Sequence, residues 1–105
     1  RLPFEIETNL YRIAQEGLTN VVRHAEARRV KIEINVSSTA IDLKIEDDGK
    51  GFSVESIGDN TTSRRLGLIS IQERSDMISG TLIVKSAPGA GTMLHVRVPL
   101  EKENS

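Results

Sequence analysis

The spacing of apolar residues changes along the chain, and this change limits the folds that the sequence can adopt. From Glu5 to Ala25 apolar residues recur every three or four positions, which is the period of an amphipathic helix. In residues 30–36 and 41–46 they instead occupy every second position, which is the period of a half-buried strand. The sequence therefore predicts one long helix followed by a pair of strands.

The second half of the chain has the same order of elements. Residues 53–66 are polar and lack a regular period, and we expect a mobile lid there, because loops of this length are uncommon unless they have a function. A second helix is predicted from Leu68 to Ser79, with Gly80 in the cap position that ends it. Alternating apolar residues then predict strands at 82–84 and 94–98, on either side of a glycine-rich turn.

Helices and strands in this order predict an α+β fold, a two-layer α/β sandwich. We expect a mixed, mainly antiparallel sheet covered on one face by the helices, because each apolar face needs a partner to bury against. A chain of 105 residues has room for one such core. The expected organisation is therefore one domain over residues 1–100 and a disordered tail at 101–105.

Composition excludes several kinds of partner. The 14 basic and 15 acidic residues give a net charge of −1, so no overall field attracts nucleic acid or an acidic membrane. One tyrosine and two phenylalanines are too few for the stacking platform of a single-strand binder. The sequence has no cysteine, which suits a reducing compartment, and no apolar run near the ~20 residues that cross a bilayer. We expect a cytoplasmic domain without direct membrane contact, which could belong to a membrane-anchored receptor.

Three polar residues of the first predicted helix share one stripe. Glu16, Asn20 and His24 are four residues apart, so they lie one turn above another. Oxygen ligands of this kind suit Mg²⁺, which prefers one or two protein oxygens together with substrate phosphates to an all-protein cage. A solvated helix edge is the alternative, and a pattern this short does not exclude it.

An acidic, glycine-containing segment, Glu46-Asp47-Asp48-Gly49-Lys50-Gly51, follows directly after the second strand. A carboxylate at a strand end can accept a hydrogen bond from a ligand amine, and alternate glycines let a flat ring approach the backbone closely. The alternative is an ordinary polar turn, since Asp-Gly and Lys-Gly are frequent turn formers.

Two further glycine motifs are compatible with ligand binding. Gly67 is predicted at the amino end of the second helix, where unpaired N–H groups can meet a phosphate; otherwise it only ends the lid. Thr92 follows the turn Pro88-Gly89-Ala90-Gly91 and could donate its hydroxyl into a neighbouring pocket. A hairpin turn alone also explains these glycines.

The motifs occur together and in a fixed order: Glu-xxx-Asn on a helix, Asp-x-Gly-x-Gly after a strand, Gly-Leu at a helix and Gly-Thr before the last strand. In this combination the chain resembles the GHKL superfamily of ATPases and kinases over nearly its whole length. Residues 10–20, Arg23-His24-Ala25 and the segment from Gly67-Leu68 to Glu73-Arg74 are similar to sensor histidine kinases of the nitrate- and degradation-enzyme-sensor type. The resemblance implies the Bergerat-type ATP-binding fold.

The resemblance also implies roles for individual residues. Asn20 would bind Mg²⁺, and Glu16 would orient a metal-bound water or take a proton from the attacking histidine. Asp47 would accept a hydrogen bond from the adenine amino group, with Asp48 as its neighbour. The other implied nucleotide contacts are Arg23 and His24 near the phosphates, Gly49 and Gly51 along the adenine pocket, Gly67 and Leu68 at the lid hinge, and Thr92 beside adenine. For His24 the alternative is a histidine that only caps the helix end.

One position departs from the family pattern. Arg65 stands where the family often has a glycine, two residues before Gly67, so the path of the lid over the phosphates stays open. Arg64 or Arg65 is an alternative contact for the triphosphate.

By this resemblance the chain would bind Mg-ATP and transfer the γ-phosphoryl group to a histidine on the phosphoacceptor dimerisation domain of the same kinase. The acceptor is expected upstream, and His95 is expected to be structural or exposed, beside Arg97 on the outer face of its strand. The full-length protein would be a homodimer that serves a response regulator in two-component signal transduction. The alternatives are another GHKL enzyme, such as an anti-sigma-factor serine kinase, and a nucleotide-binding interaction module without catalysis.

Overall fold

The computed structural model describes residues 3–52 and 62–100, with the backbone alone at 62–65. The elements of these residues, in chain order, are α1 (Phe4–Asn20), a π-helical turn (Val21–Ala25), β1 (Val30–Val36), β2 (Ala40–Asp47), α2 (Thr62–Met77), β3 (Thr81–Ser86) and β4 (Thr92–Pro99). The four strands match the segments in which apolar residues alternate. None of the helices in this part of the chain is long and apolar enough to cross a membrane.

Helix α1 forms where the apolar period and the charges agree. Leu10 and Ile13 lie on its inner side and are buried. Glu5 and Glu7 lie in the first turn, where the positive end of the helix dipole favours acidic side chains. The helix therefore packs its inner side on the sheet and leaves its outer side to solvent.

The strands form one sheet in the order β1-β2-β4-β3, and all the described pairs are antiparallel. Both helices lie on the same face, and the core fills the space between the two layers. Its buried members are Leu10, Ile13, Ile41, Leu43, Ile45, Ile71, Ile78, Leu94, Val96 and Val98. The predicted two-layer α+β architecture is confirmed.

Helix α2 begins earlier than its apolar pattern predicts. The prediction placed its start at Leu68, whereas the helix begins at Thr62. Residues 62–66 of the predicted lid are therefore helical, and residues 53–61 of it lie outside the described residues, as does the predicted tail at 101–105. The difference arises because residues 62–65 are all polar in sequence, so they carry no apolar period from which a helix could be predicted.

Helix α2 ends in a Schellman motif. The Gly80 N–H donates to the Ser75 carbonyl at 2.8 Å and the Ser79 N–H donates to the Asp76 carbonyl at 3.1 Å. The residue in the left-handed conformation is Ser79, with a φ of 58°, and not Gly80, which the sequence suggested for the cap. Ser79 thus holds a backbone conformation that favours glycine.

Strand β1 lies at one edge of the sheet, and its apolar side chains are poorly covered. Ile32 and Ile34 stand opposite Ile45 and Leu43 of β2, so they belong to the face on which the helices pack. Yet Ile34 is 57% exposed, whereas Leu43 is 1% exposed. The helices therefore cover the centre of the sheet and leave this edge open.

Candidate functional site

A cleft opens between the carboxyl end of α1 and the sheet edge where β2 ends and β4 begins. Asn20 from α1, Asp47 from the end of β2 and Thr92 from the start of β4 all line it. The other residues of its wall are a glycine and residues with apolar side chains: Gly17, Val21, Ala25, Ile45, Phe52, Leu68 and Leu94. A concave, mainly apolar wall with a few convergent polar groups is typical of small-molecule sites.

The polar groups at the sheet end of the cleft form a row across three strands. Asp47 pairs with Thr92 in the β2–β4 ladder, and Thr92 pairs with Ser86 in the β4–β3 ladder. Side chains directly opposite each other in antiparallel strands share one face, with Cβ atoms about 4.5–5.5 Å apart. Asp47, Thr92 and Ser86 therefore continue the helix-covered face of the sheet beyond its apolar core.

The carboxylate of Asp47 is held by the loop that follows it. Its Oδ1 accepts a hydrogen bond of 2.8 Å from the Gly49 N–H. A carboxylate has about four lone-pair positions, so this bond orients the group and leaves it able to accept hydrogen bonds from a ligand. Asp47 is half-buried at the wall of the cleft.

The loop after β2 is fixed on both sides. The Lys50 N–H donates to the Ala25 carbonyl at 2.7 Å, and the Gly89 N–H donates to the Lys50 carbonyl at 2.6 Å. Gly49 packs so closely against the Ala25 carbonyl that a Cβ atom would overlap with it. Gly51, with a φ of 65°, packs in the same way against the Ala87 carbonyl. This loop thus ties the π-helical turn to the turn between β3 and β4.

The Asp48 carboxylate is bound by the backbone of the turn before β1. Its Oδ1 accepts the backbone N–H groups of Arg28 and Arg29, at 2.8 and 3.0 Å. These two hydrogen bonds, first that from Arg29, lower the pKa of the Asp48 carboxyl below its ordinary value. The side chain caps the turn before β1 and is not among the residues that line the cleft, so the predicted contact of Asp48 with a nucleotide stays a prediction.

The stripe predicted along α1 is continuous only as far as Asn20. Glu16 is half-buried and lies one helical turn before Asn20, outside the cleft wall. From Val21 the chain forms a π-helical turn, whose i→i+5 hydrogen bonds wind it more widely than an α-helix. His24 therefore does not lie one α-helical turn after Asn20, as the predicted stripe required. Arg23 is exposed on this turn, and His24 is half-buried.

Gly67 lies inside α2, which begins at Thr62, so the prediction that Gly67 stands at the amino end of this helix is wrong. It is buried against Asn20, and a Cβ atom there would lie 2.6 Å from the Asn20 Oδ1. A side chain at position 67 would therefore displace the carboxamide. Leu68, the next residue, lines the cleft.

Ser86 is a polar residue of this region that the motifs did not indicate. Its hydroxyl is hydrogen-bonded to the Phe52 N–H at 3.0 Å, to the Gly91 carbonyl at 2.9 Å and to the Thr92 hydroxyl at 2.9 Å. The available sequence signal was the alternation of Leu82, Val84 and Ser86, which puts Ser86 on the covered face.

Asn20 and Glu16 carry oxygen ligands of the kind that suits a magnesium ion bound together with a nucleotide. Among the described residues no three histidine, cysteine or acidic side chains converge to hold a metal. Asn20 lines the cleft and carries a carboxamide, and the Glu16 carboxylate lies one helical turn before it. Mg²⁺ commonly takes one or two such ligands and completes its shell with phosphate oxygens and water.

The family follows from a sequence comparison. The profile described as "Histidine kinase-, DNA gyrase B-, and HSP90-like ATPase" matches residues 5–102. The chain therefore belongs to this ATPase family.

Curated relatives place the chain among sensor kinases. The sensor protein VraS of Staphylococcus saprophyticus is 38% identical over 105 residues, which are 100% of this chain and 29% of the relative. The signal transduction histidine-protein kinase/phosphatase DegS of Bacillus subtilis is 32% identical over 100 residues, 95% of this chain and 26% of that protein. The resemblance to sensor histidine kinases is confirmed, and the chain spans less than a third of the length of either relative.

Solved structures agree on the fold. The histidine kinase domain of the Erythrobacter litoralis EL346 blue-light activated histidine kinase superposes with a TM-score of 0.76 at 25% identity, over 94% of this chain and 46% of that one. The ATP binding domain of PrrB from Mycobacterium tuberculosis superposes with a TM-score of 0.71 at 21% identity, over 90% and 69% of the two chains. At the lower identity the likeness concerns the fold alone.

Proposed function

We propose that this chain is the ATP-binding catalytic domain of a sensor histidine kinase. It binds Mg-ATP and transfers the γ-phosphoryl group to a histidine on the phosphoacceptor dimerisation domain of the same kinase. The observation that carries the proposal is that Asn20 and Asp47, from two different elements, line one apolar-walled cleft. Membership of the ATPase family and the similarity to VraS and DegS support it.

Asp47 binds the base in this proposal. Its carboxylate is an acceptor at the sheet end of the cleft, and the Gly49 N–H fixes its direction. The exocyclic amine of adenine is a hydrogen-bond donor, and hydrogen bonds to a charged acceptor are the stronger kind. The apolar residues Ile45, Phe52 and Leu94 supply surface for the flat ring.

Asn20 and Glu16 serve the phosphate end. We assign the Asn20 carboxamide, which lines the cleft, to the ion that accompanies the nucleotide, and Gly67 leaves room for this side chain. Glu16, one turn earlier on α1, is proposed to accept the proton that the attacking histidine loses. Bound Mg²⁺ would neutralise charge on the β- and γ-phosphates. Arg23 and His24 on the π-helical turn, together with Leu68, are proposed as further contacts.

The reaction asks this chain mainly for positioning. The bond between the γ-phosphorus and its bridging oxygen breaks, a bond from phosphorus to a histidine nitrogen forms, and ADP leaves. The full-length protein is proposed to be a homodimer that passes the phosphoryl group to a response regulator. Its kinase part is proposed to lie in the cytoplasm, where ATP is available.

Calorimetric titration of the chain with ATP and Mg²⁺ tests the site. We expect binding by the wild type and a loss of about tenfold or more in affinity for Asp47→Asn, because an amide is a weaker acceptor than a carboxylate. The control is Asp76→Asn, which changes an exposed carboxylate on the last turn of α2 and should leave the affinity within about twofold. Equal losses for both variants, or no binding by the wild type, would contradict the proposal.

Phosphoryl transfer separates a kinase from a binding-only module. The chain is mixed with [γ-³²P]ATP, Mg²⁺ and the separately produced phosphoacceptor domain of the same kinase. We expect acid-labile label on the added domain and none on the chain itself. Nucleotide binding without transfer would favour a non-catalytic interaction module instead.

A further inference from the structure

We infer that Ser86 sets the hydrogen-bond polarity of the base-binding end of the cleft, so that this end accepts an amino group and disfavours a carbonyl. Ser86 is a positioning residue in this inference, because it acts through Thr92. The inference rests on the proposed function, since it concerns the nucleotide base that the cleft would bind.

The argument begins with the single proton of the Ser86 hydroxyl. The Gly91 carbonyl can only accept, so the 2.9 Å hydrogen bond between them uses the Ser86 proton. The Phe52 N–H can only donate, so it occupies one of the two lone pairs of the Ser86 oxygen. Ser86 therefore has no proton left for Thr92.

The direction of the Ser86–Thr92 hydrogen bond follows from this count. With the Ser86 proton committed, the 2.9 Å contact between the two hydroxyls requires the Thr92 proton to point to Ser86. The Thr92 oxygen then presents its lone pairs elsewhere, and Thr92 lines the cleft. Toward a ligand Thr92 is thus an acceptor.

Two acceptors therefore stand side by side. Asp47 and Thr92 are directly opposite each other in the β2–β4 ladder, and both line the cleft. An exocyclic amine has two N–H groups in one plane and can donate to both. A carbonyl at the same position of the base would meet two acceptors and no donor, and leaving such groups unpaired costs affinity.

The test compares ATP with inosine triphosphate, which carries a carbonyl in place of the 6-amino group. Dissociation constants of both nucleotides are measured by calorimetry for the wild type and Ser86→Ala. In Ser86→Ala the Thr92 hydroxyl can turn and donate into the cleft, so it can pair with the carbonyl. We expect the wild type to prefer ATP and the preference to narrow by about fivefold or more in the variant, the value of one hydrogen bond.

Additional variants separate polarity from a merely structural role. In a Thr92→Val background Ser86→Ala should not narrow the preference further, because the hydroxyl that Ser86 directs is gone. Ser86→Thr keeps the hydroxyl and should keep the preference. Thr81→Ala removes an exposed hydroxyl at the far end of β3 and is the matched control. If Ser86→Ala does not fold, Ser86→Cys replaces it, because cysteine fills a similar space with a weak acceptor. We expect Ser86→Cys to narrow the preference for ATP over inosine triphosphate as well.

The outcomes are distinguishable. A narrowed preference in Ser86→Ala, absent in the Thr92→Val background, supports the inference. An unchanged ratio of the two affinities in Ser86→Ala and Ser86→Cys, with ATP still bound, overturns it while the proposed function stands. A wild type that binds neither nucleotide overturns the proposed function and this inference together.

Discussion

Asp42, His95 and Arg97 form a hydrogen-bonded cluster on the sheet face away from the helices. His95 Nε2 lies 2.7 Å from the Asp42 Oδ1, and Arg97 donates to both carboxylate oxygens at 3.0 and 2.9 Å. The hydrogen bond with His95, followed by those from Arg97, lowers the pKa of the Asp42 carboxyl. The cluster joins β2 to β4, the two strands that form the floor of the cleft.

The lowered pKa of Asp42 predicts an acid-sensitive part of the stability. Because the folded state favours the carboxylate, its contribution is present above the ordinary value of 3.8 and is lost as the pH falls through the lower folded pKa. We expect Asp42→Asn to lower the free energy of unfolding at pH 7 by about 1–2 kcal/mol and to flatten its fall below about pH 4. Urea titrations from pH 7 to pH 2.5 measure both effects.

Asp76→Asn is the control for this comparison, because the Asp76 carboxylate is exposed. It should retain the acid-dependent fall, part of which comes from Asp48, whose pKa is also lowered. A variant at Asp42 with an unchanged pH profile would contradict the assignment.

The residues of the site were predictable where a motif fixes both residue type and position. Asn20, Asp47, Leu68 and Thr92 were predicted from such motifs and line one cleft. Ser86 was missed because its contacts depend on the pairing of β3 with β4, and no local pattern contains that pairing. Asp48 was predicted as the neighbour of Asp47, but it follows the last residue of β2, and its carboxylate accepts backbone N–H groups of Arg28 and Arg29, which no local pattern indicates.

Among the elements, the strands were predicted well and the helix ends were not. Successive side chains of a strand point to opposite faces, so a sheet with one covered face requires apolar residues at every second position. The apolar residues of the π-helical turn after Asn20 continue the spacing of an α-helix. The sequence therefore predicted one uninterrupted helix to Ala25. The end of α2 was assigned to Gly80 because glycine favours the left-handed conformation, which Ser79 in fact adopts.

Ser79 offers a test of this helix end. A residue other than glycine in the left-handed conformation costs roughly 1–2 kcal/mol, part of which glycine returns through its greater freedom in the unfolded chain. We expect Ser79→Gly to raise the free energy of unfolding by about 0.5–1 kcal/mol and Ser79→Val to lower it. Urea denaturation measures both variants. A glycine variant less stable than the wild type would contradict the cap geometry.

At the scale of the whole molecule, the cover of the sheet is uneven. Alternation in β1 predicted a half-buried strand, but its edge position follows from the strand order, which alternation does not contain. Ile34 and Leu43 are opposite each other on the same face and differ in exposure, 57% against 1%. This pair therefore separates the effect of residue type from the effect of burial.

We expect Leu43→Ala to lower the free energy of unfolding by about 2–5 kcal/mol, because it leaves a cavity in the core. Ile34→Thr, on the open edge, should change it by less than about 1 kcal/mol. Chemical denaturation of the two variants gives the comparison directly. Similar losses at both positions would show that β1 is covered in solution.

The adjacency of β2 and β4 links the site to the completion of folding. Asp47 and Thr92 lie in distant parts of the sequence and become neighbours only when these two strands align. Closing such a long loop is entropically costly, and non-local pairings of this kind form late in many folding reactions. A partly folded chain in which β2 and β4 are not paired would thus lack the binding site. A ligand bound at this junction would stabilise the entire native state by mass action.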